Sequence, residues 1–286
     1  MVNYRKLLVL CFLIMLLHPS AHAVTPQYTK ADSIKVMKLL ADSRHFSPNT
    51  DPVLYYARQL KGIPYVAHTL DRNTHEQLVI NLRELDCTTY VENVLALSLC
   101  ARQKRYTFHD FCTILKNLRY EKGKVDYVSR LHYFTSWIED NEQLGYISKI
   151  QGTKPPFTAL QKLDIHYMTK NHASYTMLKD HSEHIRGIRQ TEQQLTGKTY
   201  RYIPKASLKD SPLLRRTILN GDIIAILTRR KGLDTSHIGI AVWHKDGLHL
   251  LNASSVHKKV VEEPMTLFQY MQKHPSQIGI RIARLK

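Results

Sequence analysis

Apolar residues recur at helical spacing along the first half of the chain and in alternation near its end. From Ala31 to Arg44, the positions Ile34, Met37, Leu39 and Leu40 mark an amphipathic helix, and residues 52–60 mark a second that ends near Gly62. LKGIPYVAHTLD follows as an extended or loop-like stretch. LDCTTYVENVLAL (85–97) reads as the front of a buried helix, with Asp86 as its N-cap and Thr89 with Glu92 compatible with a capping box. Residues 107–120 and 129–140 carry further helical patterns, divided by YEKGKVDY. Residues 151–215 are polar, rich in His, Thr and Lys, and weakly periodic except for a helix over 182–195. They read as an insertion or an elaborated surface. Beyond them the period changes: residues 222–228, 236–243, 247–253, 256–263 and 278–285 are short, β-branched and bounded by Gly, Asp and Pro. Helices first and strands last predict an α+β fold, with N-terminal helices packed on a C-terminal antiparallel sheet and a helical and loop insertion at about 103–215.

One apolar run does not belong to that fold. Arg5 and Lys6 precede Leu7 to Leu17, and Ala21-His22-Ala23 forms a small-x-small cleavage pattern, so residues 1–23 are expected to be a secretory signal. No later segment is apolar enough to span a bilayer. The remainder, residues 24–286, suits one domain with an insertion and an exported, periplasmic or extracellular location. Without Arg5 and Lys6 the chain holds 39 basic and 24 acidic residues, a formal charge of +15. The basic residues are scattered through RRT, TRRKG and HKK without a nucleic-acid module, so a solvated basic surface, in part facing an anionic small substrate, is expected rather than nucleic acid.

An exported protein meets oxidising conditions, yet three cysteines remain after the leader: Cys87, Cys100 and Cys112. At least one must be unpaired within the chain. Cys87 stands at the start of a helix, where free N–H groups favour a thiolate, and its neighbours at +4 and +7, Val91 and Val94, turn it toward the strands. A nucleophilic thiol needs a base, and the strands offer His237, His244 and His249. Alternation puts His237 on one face with Gly239 and Ala241, small residues that would let a helix end approach. His249 falls on the reverse face and His244 in a loop. With HKDG as a four-residue hairpin loop, Trp243 pairs with Leu248, so Asn252 lies opposite Gly239 and diagonal to His237, placed to orient its ring. A two-residue DG turn would set Asn252 further away.

Four blocks in order now carry a resemblance: GIPYV (62–66), LDCTTYVEN (85–93), NGDIIAI (220–226) with SHIGIAVW (236–243), and LLNASS (250–255). Together they resemble the cell-wall cysteine hydrolases of the NlpC type, a papain-like fold. Within it, DCTTYVENVLAL, YVSRLHYFTSWIEDN and HIGIAVW with LHLLNASS resemble the N-acetylmuramoyl-L-alanine amidase-like branch, over most of the mature chain. The resemblance implies Cys87 as nucleophile, His237 as general base and then acid, and Asn252 as the orienting group. The branch usually reads His-Ala-Ser where this chain reads Asn252-Ala253-Ser254, a departure expected to alter pH behaviour. It also implies Tyr65 beside the cleft and Asp86 at its floor as partners of a free amine; a packed ring and a helix cap are the alternative roles. The Cys87 N–H is the natural oxyanion donor.

On the helix read at 129–140, Leu131, Phe134 and Ile138 form a core stripe, leaving Arg130, Tyr133 and Trp137 as a sugar-and-carboxylate subsite or as packing. His181 and His184 lack a third metal ligand at motif spacing, and the implied chemistry needs neither metal nor cofactor. The expectation is a cysteine amidase that cuts between N-acetylmuramic acid and L-alanine in peptidoglycan fragments, the resemblance pointing to anhydro-muropeptides. Its rivals are a D-glutamyl-diamino acid endopeptidase, an acyl transferase and a catalytically silent wall-binding protein.

Overall fold

The computed structural model describes residues 25–286, so the signal expected at 1–23 lies outside the described residues. Helix α1 (Lys30–Asp42) and helix α2 (Pro52–Gln59) lie where the apolar spacing puts them. Asp51 caps α2 through Val53 N–H, with Pro52 in its first turn, where the missing N–H costs nothing. Helix α3 (Cys87–Arg102) is the centre of the helical layer. Every residue from Thr89 to Cys100 is buried, the pattern of a helix packed on all sides. Helices α1, α2 and α4 (Phe108–Arg119) surround it.

Helix α5 (Phe134–Gln143) begins later than its periodicity predicts. Leu131 N–H donates to the Arg119 carbonyl and Tyr120 bridges Arg130, and these contacts hold residues 130–131 outside the helix. A short strand, β1 (Ile147–Ile150), follows. The polar segment beyond it is more than a surface elaboration. It supplies β2 (Ala159–Lys162) and β3 (Thr199–Pro204), the short helices α6 (Tyr167–Lys170) and α7 (Thr176–Lys179), and α8 (Ser182–Leu195), whose bounds match the sequence reading. Leu163, Ile165, Met168, Leu178, Ile188 and Leu195 close a small core of their own, joined by Tyr133 and Tyr200. Few apolar side chains suffice because α8 turns only Ile188, Glu192 and Leu195 fully inward.

Helix α9 (Pro212–Thr217) leads into β4 (Ile223–Thr228), β5 (Thr235–His244), β6 (Gly247–Ser254) and β7 (Lys259–Glu262). Helix α10 (Leu267–Gln272) and β8 (Gln277–Leu285) complete the chain. The sheet order is β2-β3-β8-β4-β5-β6-β7, antiparallel throughout, with β1 also paired to β8. One face, carrying Ile223, Ala225, Ile238, Ile240, Val242 and Leu251, packs on the α1–α5 layer. The other, with Ile224, Ala241, Leu248, Leu250 and Ile280, packs on Leu214 of α9 and Leu267 and Met271 of α10. This is an α+β architecture in which the start of α3 meets the start of β5. Among the described residues, no helix is long and apolar enough to cross a membrane.

Candidate active site

Cys87 is the first residue of α3. Asp86 caps the helix by accepting from Thr89 N–H at 2.8 Å, while Thr89 Oγ1 accepts from Asp86 N–H at 3.0 Å. The reciprocal partner is therefore Thr89 alone. Glu92, read as a possible member of that box, instead takes Arg119 Nε–H at 2.6 Å, inside the protein, and the same guanidinium donates to the Val79 carbonyl at 2.7 Å. The cap orients the first turn, and two clefts open beside Cys87. The larger, about 330 Å³, is walled by Tyr65, Asp71, Asp86, Tyr127, Arg130 and Tyr175. The smaller, about 170 Å³, is walled by Phe134, Thr235, Ser236, His237 and Ile238. Cys87, Thr88, Leu131 and His132 belong to both.

The hairpin register is the one read from sequence, Trp243 opposite Leu248, although His244 and Gly247 also pair, so the loop is only Lys245-Asp246. The face shared by His237, Gly239 and Ala241 is turned differently from expectation. Ala241 packs on the α9–α10 side, and a Cβ at Gly239 would meet Leu250 and Asn252 rather than a helix. Ile238 and Ile240 are the residues that meet α3. His237 nevertheless reaches the cleft because it stands at a β-bulge. Ile226 pairs with His237 and Leu227 with Thr235, leaving Ser236 as the extra residue. Such a bulge re-aims the side chain beside it. The His237 ring is then held by Asn252, whose Oδ1 accepts from Nε2 at 2.8 Å, and His237 and Cys87 line the same small cleft.

Electrostatics at the thiol run against the helix-field expectation. Burial, and next the charge of Asp86, push the Cys87 thiol up to about 12, although Ile238 and Thr88 donate hydrogen bonds to the sulfur. Although part of the residue stays accessible, dense protein around the sulfur disfavours the thiolate. Burial also lowers the His237 pKa, opposed by the Asn252 hydrogen bond and the Glu263 charge. Both shifts favour the neutral forms, a thiol on Cys87 and an unprotonated imidazole on His237.

Tyr65 lies half-buried on the larger cleft, its hydroxyl pKa raised to about 12 by burial and then by Cys87 and Asp86. Its segment is fixed between strand and helix, as Tyr65 N–H donates to Lys258 O and Val66 N–H to Leu85 O. Arg130 also reaches this cleft. It pairs with Asp71 and, at 3.7 Å, with Glu76, and lies 4.8 Å from the Tyr127 ring centre. Tyr133 and Trp137 do not reach it. Tyr133 is 2% exposed and donates to Glu192 at 2.6 Å; Trp137 is fully buried, stacked on Phe134 at 4.8 Å. With α5 starting at Phe134, those two positions face cores and only Arg130, in the preceding loop, faces the cleft.

His132, Asp71, Tyr127 and Tyr175 line the site without having been singled out in the sequence. His132 had a signal, an imidazole next to Arg130 in a block of the resemblance, but the helical reading hid it. Asp71 and Tyr175 come from a loop and from the polar segment, where no periodicity points. Cys100 and Cys112 are buried free thiols in the helical core, and Cys87 is also free. His184 is occupied by the Met177 carbonyl at 2.7 Å, and among the described residues no group of three or more acidic, His or Cys residues could hold a metal.

Comparisons with known proteins find relatives over most of the chain. The family model described as N-acetylmuramoyl-L-alanine amidase-like matches residues 55–280. A crystal structure of an N-acetylmuramoyl-L-alanine amidase from Bacteroides uniformis is 38% identical, with a TM-score of 0.76 over 82% of this chain and 98% of that one. A putative xylanase from Bacteroides fragilis is 40% identical, with a TM-score of 0.75 over 81% of this chain and all of that one. A protein from Legionella pneumophila, 24% identical, shares the fold with a TM-score of 0.66 over 90% of this chain and 95% of that one. A comparison with curated protein sequences gives no match.

Proposed function

Since the chain belongs to the N-acetylmuramoyl-L-alanine amidase-like family, we propose that it is an exported cysteine amidase of papain-like, NlpC-type architecture. Its substrate is a peptidoglycan fragment, preferentially an anhydro-muropeptide, and it cuts the amide between the lactyl group of muramic acid and L-alanine. The observation that carries this reading is the shared cleft of Cys87 and His237, with the imidazole held by Asn252 at 2.8 Å.

In this mechanism the Cys87 sulfur attacks the lactyl carbonyl carbon as His237 Nδ1 takes the thiol proton. The carbonyl oxygen becomes an oxyanion against the Cys87 N–H, which the helix start leaves without an intrahelical acceptor. Collapse breaks the C–N bond, His237 gives its proton to the departing L-alanine amine, and a thioester remains on Cys87. Water, deprotonated by His237, attacks the thioester; the sugar leaves with a free lactyl carboxylate and the thiol recovers its proton. Two clefts meeting at the sulfur suit a substrate that extends on both sides of the cut bond. The excess of basic residues suits peptide carboxylates.

The carboxylates support amide cleavage over the glycoside hydrolysis suggested by the name of the Bacteroides fragilis neighbour. That chemistry uses two carboxyl groups free to act on the sugar, one as acid and one as base or nucleophile. Here Asp71 is taken by Arg130, Glu92 by Arg119 and Asp86 by the cap of α3. Incubating the purified protein and its Cys87→Ala variant with defined muropeptides, followed by mass spectrometry, tests the proposal. Release of an intact stem peptide from the sugar by wild type, and loss of about 10³-fold or more in the variant, is expected. L-Ala-D-Glu left on the sugar would make the protein an endopeptidase, and no turnover by either protein would make it a catalytically silent wall-binding protein.

A further inference from the structure

Behind Asn252 stands a carboxylate with no role in the steps above. Glu263, just after β7, is 3% exposed. Its Oε1 accepts from Asn252 Nδ2 at 3.1 Å and its Oε2 from His257 Nε2 at 3.1 Å. Its backbone is fixed as well: Glu263 N–H donates to the Leu250 carbonyl at 2.9 Å, and the Glu263 carbonyl accepts from His249 Nδ1 at 2.8 Å. A carboxylate in this place has a use because the third group of the site is an amide. An amide can face the imidazole with either end. Only one orientation leaves the imidazole able to accept the thiol proton at Nδ1.

We propose that Glu263 is a positioning residue that acts through Asn252 to set the tautomer and basicity of His237, an inference that rests on the Cys87–His237 reading. The exclusion follows from donors and acceptors. An ionised carboxylate only accepts, so the Asn252 end that meets Glu263 is its NH₂. The Leu250 and Val261 carbonyls, at 3.4 and 3.5 Å from the same Nδ2, favour that orientation more weakly. Asn252 Oδ1 must then face His237, and an oxygen can only accept, so the ring carries its proton on Nε2. Nδ1 is left as the lone-pair nitrogen on the thiol side. The same chain passes charge: a carboxylate at one end of an amide makes the oxygen at the other end a better acceptor, and an imidazolium formed during the reaction is stabilised at one remove. His257 Nε2, itself a donor, holds Glu263 from the solvent side. The other titratable groups around this chain are His249 on β6, Tyr270 on α10 and His274 just after it, and Asp86 and Cys87 at the start of α3.

The test measures iodoacetamide alkylation of Cys87, located by peptide mapping, across pH in wild type and in His237→Ala, Glu263→Gln, Asn252→Ala and the Glu263→Gln/Asn252→Ala pair. This readout needs no substrate. In wild type the rate is expected to follow His237, and in Glu263→Gln to fall roughly tenfold with its acid midpoint moved to lower pH, because the anion that favours the imidazolium is gone. In the Asn252→Ala background, Glu263→Gln is expected to add almost nothing, whereas a purely structural role would add its full effect. Equal rates in wild type and His237→Ala would overturn the Cys87–His237 reading itself. A wild-type dependence on His237 with additive effects, or with an unshifted Glu263→Gln profile, would overturn only the role of Glu263. If Glu263→Gln does not fold, nitrogen-15 NMR of the His237 ring in the wild-type protein decides: the Nε2–H tautomer is required, and Nδ1–H rejects the inference.

Discussion

At the scale of single residues, the proposed mechanism depends on two neutral partners, one of them held by an amide. Asn252→Ala removes the acceptor at 2.8 Å from His237 Nε2 and leaves that N–H without its partner in a confined setting. We expect kcat to fall by about 10²-fold with KM changed less than threefold, since the ring loses orientation while the substrate keeps its contacts. A steady-state comparison on one muropeptide checks this; a change confined to KM would assign Asn252 to substrate binding instead. The placement of the three proposed catalytic positions was legible in part. A cysteine after a capping aspartate and a hairpin register that sets Asn252 opposite Gly239 are short-range rules. Strand alternation, by contrast, turned the His237 face the wrong way, and only the bulge brings the ring to the cleft. The pKa of the thiol was not legible. It is set by burial beneath strand β5 and by Asp86, and sequence spacing carries no measure of desolvation. The bulge at Ser236 escaped for a similar reason, since an extra residue in one strand is defined by the partner strand.

At the scale of elements, α3 delivers the sulfur, and a buried ion pair ties it to α4. Glu92 sits on the second turn and Arg119 at the end of α4, with both side chains at most 3% exposed and 2.6 Å apart. Removing one charge strands the other in a dry interior. Glu92→Ala is expected to destabilise the fold by about 3–5 kcal/mol in urea unfolding. A double variant, Glu92→Met with Arg119→Leu, is expected to recover most of that loss, because no unpaired charge remains. If the single variant costs less than about 1 kcal/mol, α3 is held in place by packing alone. The helices and the last strands were visible because their apolar residues repeat at 3.6 or 2 positions. β1, β2 and β3 were not, being short edge or near-edge strands with mixed exposure, such as Leu160, which faces solvent. The start of α5 was misplaced because long-range contacts from Arg119 and Tyr120 override a locally helical pattern.

At the scale of the whole molecule, the cleft lies where the helical layer, the sheet and the small core of residues 163–200 meet, and His132 sits at that junction. Its Nε2 donates to the Tyr127 carbonyl at 2.7 Å, its ring lies 4.6 Å from that of Tyr127, and Tyr127 in turn stacks on His184 of α8. Burial, reinforced by the Arg130 charge, depresses the His132 pKa to about 3. An unfolded histidine titrates near 6.5. Between those two values the unfolded chain binds the proton and the folded chain does not, so stability rises with pH across that window. His132 therefore costs the fold nothing above about pH 6.5, and acidification favours unfolding progressively as pH falls through 6.5 toward 3. With the ring partly accessible to water, the loss is on the order of 3 kcal/mol rather than the full value of the shift. His132→Gln keeps an N–H donor for the Tyr127 carbonyl and removes the titration. Urea unfolding from pH 7.5 to pH 4 should then show a shallower decline in the variant than in wild type, the two curves converging in slope above pH 7. Equal slopes down to pH 4 would mean that His132 takes up its proton as readily in the folded protein as in the unfolded chain, the cleft wall opening well before the chain unfolds.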